Sequence, residues 1–183
     1  MRAPFRRLKK YAQTSLAELI RQEKRRAQIH IKIIRYTEPD ASSDRLSEIM
    51  LSRWTKLASI EGGMTGAAGV LGIPTNLLLF SYCQLAAAVS VAEAYNYSLE
   101  GRAGEDAILA LLGDVHGIND LVRSGPRVFG ALAKTIALRH SLPALGRAIP
   151  LVAAPISAKL NERDMRRLGR EARRIFGHVV EIA

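Results

Sequence analysis

The sequence has little of what usually marks a secreted protein or a nucleic-acid-binding protein. Only one of its 183 residues is cysteine, and aromatic residues make up 5%. A single cysteine cannot build a disulfide framework, so we expect a reduced compartment and interpret Cys83 as a small buried hydrophobe. Zinc-ligand spacing and aromatic RNA-binding motifs are also missing, which argues against nucleic acid as a partner.

Motifs of catalysis are missing as well. The chain has no G-x-S-x-G or H-E-x-x-H, and its central glycines have neither P-loop nor dinucleotide-binding spacing. The stretch "GDVHGIND" collects Asp114, His116, Asn119 and Asp120, and His116 and Asp120 could share a metal from one helix face. No second pair with ligand spacing accompanies them, so we interpret the stretch as a polar helix face or loop. We expect no enzyme activity, catalytic residue, metal or cofactor.

Acidic residues are scarce at the two ends. Residues 1–36 contain 11 Lys or Arg and 2 Asp or Glu, and residues 159–183 contain 7 and 4. Basic ends attract polyanions, here an anionic membrane surface. The first residues lack the apolar region of a secretory signal, and we therefore expect a cytoplasmic, peripherally membrane-associated protein.

The N-terminal segment predicts a basic amphipathic helix, with Ser15 and Glu18 spaced as a capping box. Such a helix can lie on an anionic interface, or it can dock on the protein's own core through the same apolar stripe. In the membrane interpretation eight basic residues meet the headgroups: Arg6, Arg7, Lys9, Lys10, Arg21, Lys24, Arg25 and Arg26.

The longest uncharged run covers 31 residues, from Gly62 to Ala92. A transmembrane helix needs about 20 apolar residues. Pro74, Thr75 and Asn76 divide the run, and 16 residues remain between them and Glu93. We predict a central core helix over residues 77–97 and keep a membrane span as the alternative.

The rest of the chain also reads as helix. A loop over residues 37–44 precedes a helix that Ser43 or Asp44 caps and that ends near Glu61. A turn over residues 98–106 starts another helix at its end. A second apolar stretch, residues 142–161, is broken by three prolines and followed by a last helix over residues 162–177. We predict an all-α single bundle in which the two apolar, Gly/Pro-broken segments form a central antiparallel pair wrapped by amphipathic helices.

The glycine-rich stretch "EGGMTGAAGVLGIPTN" has two interpretations. Gly62 and Gly66 have the small-xxx-small spacing that lets helix backbones approach closely. Glu61 and Thr65, four residues apart, would then project to one side. Either Glu61 is a helix-end charge beside glycines that ease packing, or the region forms a polar-lipped apolar cavity or a membrane-docking hairpin.

Residues 56–101 resemble the signature region of the EcsC family. The matching positions are Glu61, Gly62, Thr65, Gly66, Gly69, Pro74, Asn76 and Tyr95, and in a second segment Pro150, Ala153, Ser157, Asn161, Gly169, Ala172 and Phe176. The chain departs from the pattern at Asn76, where the family has an acidic residue, and at Asn96, Ala153 and Ser157, where it has glycines.

The resemblance covers roughly residues 45–177. The family takes its name from a gene beside an ABC transporter, and its members are described as membrane-associated. The resemblance therefore implies a helical, membrane-associated protein and supplies no catalytic residues. It divides the chain into a basic helix, residues 1–36, and an EcsC-like domain, residues 44–183.

We expect a non-enzymatic protein that binds a membrane surface or an apolar, lipid-like ligand. The candidate lip of that ligand site consists of Glu61, Gly62, Thr65, Gly66, Gly69, Pro74, Asn76, Pro150 and Asn161. The alternative is a helical adaptor or homo-oligomer whose basic ends bind a protein partner or nucleic acid. Hydrolase-like chemistry at Glu61 and Thr65 is a third hypothesis.

Overall fold

The computed structural model describes residues 15–67, 73–117 and 150–178. Five helices fill these ranges: α1, Leu16–Thr37; α2, Ser43–Ala67; α3, Ile73–Ala94; α4, Gly101–His116; and α5, Pro150–Gly177. These ranges contain no β-strand. The predicted all-α class is confirmed, and the helices pack as a bundle.

Helix α3 is the centre of the bundle. Every residue from Cys83 to Ala92 is buried, and α3 contacts each of the four other helices. A helix that is apolar on all sides must be surrounded by protein, and the small side chains of residues 86–88 let its neighbours come close. The predicted core helix over residues 77–97 is therefore present, displaced by a few residues at each end.

Helix α1 docks on α3 through the predicted apolar stripe. Ser15 caps it as predicted, because its Oγ accepts a hydrogen bond of 3.3 Å from the backbone N–H of Glu18. Leu19, Ile20 and Ala27 are buried in the core. The inner face of α1 thus belongs to the fold, and its outer face stays exposed.

Helix α2 differs from the prediction at both ends. It begins after Ser42, whose Oγ accepts a 3.2 Å hydrogen bond from the backbone N–H of Arg45, so the predicted cap at Ser43 or Asp44 was wrong. It also continues through the glycines to Ala67, where an end near Glu61 was expected. Glycine in a helix interior costs about 1 kcal/mol, and packing against α5 compensates for that cost.

Helix α5 begins at Pro150, although the prolines were predicted to break the chain up to residue 161. Proline is favoured in the first turn of a helix, where its missing N–H has no partner to lose. Pro155 lies inside α5 and removes one backbone hydrogen bond. The contact between α2 and α5 is the most extensive of the bundle and outweighs this loss.

Helices α2 and α5 run antiparallel. A Cβ at Gly169 would collide with the Leu51 side chain at one end of their contact, and a Cβ at Gly62 would meet Ser157 and Asn161 at the other. The described end of the second apolar segment therefore packs against the start of the first, as predicted. Residues 142–149 and 1–14 lie outside the described residues, and the division at residues 36–44 stays a prediction.

Two left-handed residues terminate α3 and α4. Asn96 has φ 54°, and the Tyr97 N–H bonds to the Ala92 carbonyl at 2.9 Å, which closes α3 in the manner of a Schellman motif. Asn tolerates this conformation better than most side chains other than glycine. Helix α4 starts at Gly101, earlier than the predicted end of the turn, and ends at Gly117 with φ 62°.

Candidate functional site

The crossing of α2 and α5 brings together two residues of the predicted lip, Gly62 and Asn161. A Cβ on Gly62 would stand 2.6 Å from Asn161 Nδ2 and 3.0 Å from the Ser157 carbonyl oxygen. Asn161 is buried, and its Nδ2 donates a 2.9 Å hydrogen bond to the Ala58 carbonyl. Residues almost a hundred positions apart thus share one close backbone contact.

The structure describes only part of the other predicted lip residues. Thr65 and Gly66 lie in α2, Pro74 and Asn76 in the first turns of α3, and Pro150 at the start of α5. The side chains of these residues lie outside the described part, as does Gly69 entirely. The site that the structure defines is therefore Glu61, Gly62 and Asn161.

Glu61 projects a carboxyl group into the protein. Both of its side-chain oxygens are shielded from solvent, and burial raises the pKa of Glu61 to about 8. Close to neutral pH the carboxyl group is therefore largely protonated. Glu61 also lies within α2 and not at its end, because the helix continues to Ala67.

Cys83 on α3 lies within electrostatic range of Glu61. Burial, followed by the charges of Glu61 and Glu23, raises the pKa of the Cys83 thiol to about 12. The thiol stays protonated and buried, which agrees with its interpretation as a small hydrophobe. Helices α1, α2 and α3 thus place two carboxyl groups around one thiol.

A second polar cluster, missed by the sequence interpretation, joins α1 to α3. Glu23 is only 2% exposed and accepts hydrogen bonds from Tyr82 Oη at 2.7 Å and from Arg26 Nη1 at 2.5 Å. Arg26 Nη1 also donates to Tyr82 Oη at 2.7 Å. The Tyr82 ring stands edge-on to Trp54, 5.9 Å between centroids. Glu23 and Arg26 have the three-residue spacing of a helix ion pair, but nothing local points to Tyr82.

The eight basic residues that were predicted to meet the headgroups differ in whether they have an acidic partner within the protein. Arg21 pairs with Glu18, Lys24 lies 3.6 Å from Glu100 and 3.9 Å from Glu93, and Arg26 pairs with Glu23. Arg25 is exposed and has no ion pair within the described residues. Arg6, Arg7, Lys9 and Lys10 lie outside those residues. Three of the four described cations therefore have an internal acidic partner.

Exposed apolar side chains are concentrated on α1 and α2. Seven large hydrophobic residues of the described part are exposed, and six belong to these two helices. We call their surface the α1–α2 face: Ile29, Ile33 and Tyr36 on α1, and Leu57, Ile60 and Met64 on α2. Both groups recur at helical spacing, so each forms a stripe. The two helices meet where His30 contacts Arg53.

Cations border the α1–α2 face. Arg25, Lys32 and Arg35 on α1 and Arg53 and Lys56 on α2 are all exposed. Residues 24–37 include no Asp or Glu. The face therefore combines apolar side chains with positive charge, the composition of a helix surface that lies on a membrane interface.

The residues of "GDVHGIND" separate in the structure. Asp114 is exposed, while His116 is buried and its Nε2 lies 2.8 Å from Gln84 Oε1 on α3. Asn119 and Asp120 fall outside the described part. Within the ranges that are described, no three His, Cys, Asp or Glu residues stand together in a way that could hold a metal ion.

Comparison of this chain with protein-family models, with curated proteins and with solved structures finds no match. The resemblance to the EcsC family thus stays an expectation from the sequence. In the described part of the chain, no helix has both the length and the apolar character needed to cross a membrane.

Replacing Gly62 by Ala should destabilise the protein by about 1–3 kcal/mol, the usual cost of an overpacked contact. The new methyl group would press on Asn161, which is held by its bond to Ala58, and on a backbone oxygen. Urea unfolding followed by circular dichroism measures the change.

Gly63→Ala is the matched control, because a Cβ there meets nothing within 4 Å. It should stabilise α2 by up to about 1 kcal/mol through helix propensity alone. Equal effects of the two substitutions would contradict the close contact at Gly62.

Glu61→Gln should remove a pH dependence of stability. The folded protein holds the Glu61 proton up to a pKa of about 8, well above the ordinary glutamate pKa of 4.5. Between these values the folded state binds more protons, so the free energy of unfolding of the wild type falls as pH rises. The advantage of the Gln variant should grow from about pH 5 to about pH 9 in urea unfolding. A constant difference between the two proteins would show that the carboxyl group is ionised throughout.

Proposed function

We propose that this is a non-enzymatic protein that associates with an anionic membrane surface through the α1–α2 face. One observation carries the proposal: six of the seven exposed large hydrophobic residues of the described part lie on these two helices. Exposed apolar side chains add nothing to the core. A concentration of them on one part of the surface is therefore expected at an interaction site.

The inner and outer faces of α1 have separate roles in this proposal. Leu19, Ile20 and Ala27 hold the helix on α3, so the fold does not need the outer stripe. Ile29, Ile33 and Tyr36 are 58%, 58% and 90% exposed. They can enter the headgroup region while α1 remains docked, and no unfolding has to precede binding.

The energetics suit reversible attachment. Fully burying one large apolar side chain is worth about 1.5–3 kcal/mol, and each cation close to an anionic surface adds about 1 kcal/mol. Arg25, Lys32, Arg35 and Lys56 can contribute fully. Arg21, Lys24 and Arg26 contribute less, since acidic side chains of the protein already compensate them. The predicted contribution of Arg6, Arg7, Lys9 and Lys10 remains part of the proposal.

The resemblance to the EcsC family supports the same proposal, because its members are described as membrane-associated. Gly62 and Asn161 belong to the two separate segments that carry the resemblance, and they touch each other. A packing requirement of this kind gives a physical reason for the two segments to occur together. Membership of the family is itself a proposal.

A helical adaptor remains the alternative, and a specific observation favours it. The stripe at residues 29, 33 and 36 has the spacing with which helices enter the groove of a protein partner. Such a complex would form without lipid. The sequence analysis also allowed an apolar, lipid-like ligand. A lipid chain bound inside the protein would co-purify with it.

Vesicle flotation tests the membrane proposal. Wild-type protein should float with phosphatidylglycerol vesicles at low salt and much less with neutral phosphatidylcholine vesicles. Ile29→Ser combined with Ile33→Ser should weaken binding about tenfold or more, because two side chains no longer leave water.

Ile156→Ser is the matched control, since among the described side chains of α5 it removes the one large hydrophobic residue that is exposed. It should leave flotation unchanged. Wild-type binding that is equal on both kinds of vesicle and insensitive to salt, or full binding by the Ile29/Ile33 variant, would contradict the proposal.

A further inference from the structure

An open groove with a volume of about 590 Å³ runs along the outer side of α2. Arg45, Glu48, Ser52, Arg53 and Lys56 supply its polar lining. Leu57 belongs both to the groove and to the α1–α2 face. The groove therefore opens beside the surface that we propose to lie on a membrane.

The cations of the groove differ in whether a carboxylate of the protein already pairs with them. Arg45 donates to both oxygens of Glu38, at 3.0 and 3.2 Å, and to Glu48 at 3.4 Å. This hydrogen bonding lowers the pKa of Glu38. Arg45 therefore has no positive charge left for a ligand, because its two carboxylate partners, Glu38 and Glu48, carry more charge than it does. Arg53 and Lys56 have no carboxylate partner within the described residues and leave two positive charges available.

Arg53 is held in place without losing its charge. His30 Nδ1 lies 2.9 Å from the Arg26 carbonyl, which can only accept, so Nδ1 carries the proton and Nε2 is an acceptor. Nε2 accepts a hydrogen bond from Arg53 Nη1, and the guanidinium also lies 5.9 Å from the Trp54 ring centroid. A guanidinium has five N–H donors, and His30 uses one. The others remain for a ligand at the groove.

Ser52, Arg53 and Lys56 together match the chemistry of a phosphate group. Arginine offers a planar fork of N–H donors, lysine a mobile point charge, and serine a hydroxyl donor. Ser52 and Lys56 are four residues apart, so both face the groove from consecutive turns. A phosphate monoester carries a charge of about −1.5 to −2 at neutral pH, so it is attracted more strongly by Arg53 and Lys56 than a phosphodiester is. A phosphodiester carries about half of that.

We infer that this groove binds a phosphate monoester through Ser52, Arg53 and Lys56. The inference rests on the proposed membrane association where the monoester is a lipid headgroup, and it extends that proposal from general charge attraction to recognition of a chemical group. A soluble phosphate would offer the same chemistry, and the experiment separates the two sources.

The test compares wild-type protein with two double variants that remove the same charge. Arg53→Gln with Lys56→Gln alters the groove. Arg25→Gln with Lys32→Gln alters the α1 side of the α1–α2 face and leaves the groove intact. Vesicles contain phosphatidylcholine with either phosphatidic acid, a monoester, or phosphatidylglycerol, a diester, adjusted to equal surface charge. Circular dichroism checks that all three proteins are folded.

Wild-type protein should prefer phosphatidic acid by about tenfold, as expected for a second charge-assisted contact. The groove variant should lose this preference. The control variant should bind both vesicles more weakly and keep the preference. Equal weakening of both variants on both vesicles, or no preference in the wild type, overturns the headgroup site.

A second measurement uses inorganic phosphate without vesicles, against sulfate at the same ionic strength, with thermal unfolding as the readout. Stabilisation that the groove variant loses shows that the site also takes soluble phosphate. If phosphate stabilises the wild type while no vesicle binds, the membrane proposal fails and the phosphate site stands. If phosphate has no effect and the vesicle preference is also missing, the inference is wrong.

Discussion

The rest of the fold depends on how closely α2 can approach α5. Without a side chain at Gly62, Asn161 reaches the Ala58 carbonyl and the two backbones touch. Gly169 gives the same freedom beside Leu51 at the other end of the contact. Because glycine allows close approach at both ends of the contact, α2 and α5 form a tightly packed antiparallel pair. Helix α3 packs against this pair.

That arrangement decides which polar groups are buried. Glu61 lies next to Gly62 in α2, both of its side-chain oxygens are shielded from solvent, and loss of hydration raises its pKa. Glu23 is buried more deeply but receives hydrogen bonds from Tyr82 and Arg26. The same residue type thus stands in two settings: Glu23 lies beside a cation on the neighbouring turn, and burial raises the pKa of Glu61.

Periodicity predicted the helical class, the core position of α3, the Ser15 cap and the docking stripe of α1, because these depend on local pattern. The ends of α2 and α5 were wrong because glycine and proline were interpreted as breaks. Their local cost is small beside the packing of two long helices. For the candidate site, Gly62 and Asn161 were identified from sequence, but their contact was not. Tyr82 lies 59 residues from Glu23, and no local pattern could have joined them.

Because of the internal ion pairs, the formal charge of +10 overstates how strongly the surface attracts a polyanion. Arg21, Lys24, Arg26 and Arg45 each have a carboxylate partner in the protein, so their attraction for an outside polyanion is largely compensated. The cations without such a partner on α1 and α2 border the exposed apolar stripes. Positive charge and exposed apolar area therefore occur on the same two helices, which is the basis of the attachment proposed above.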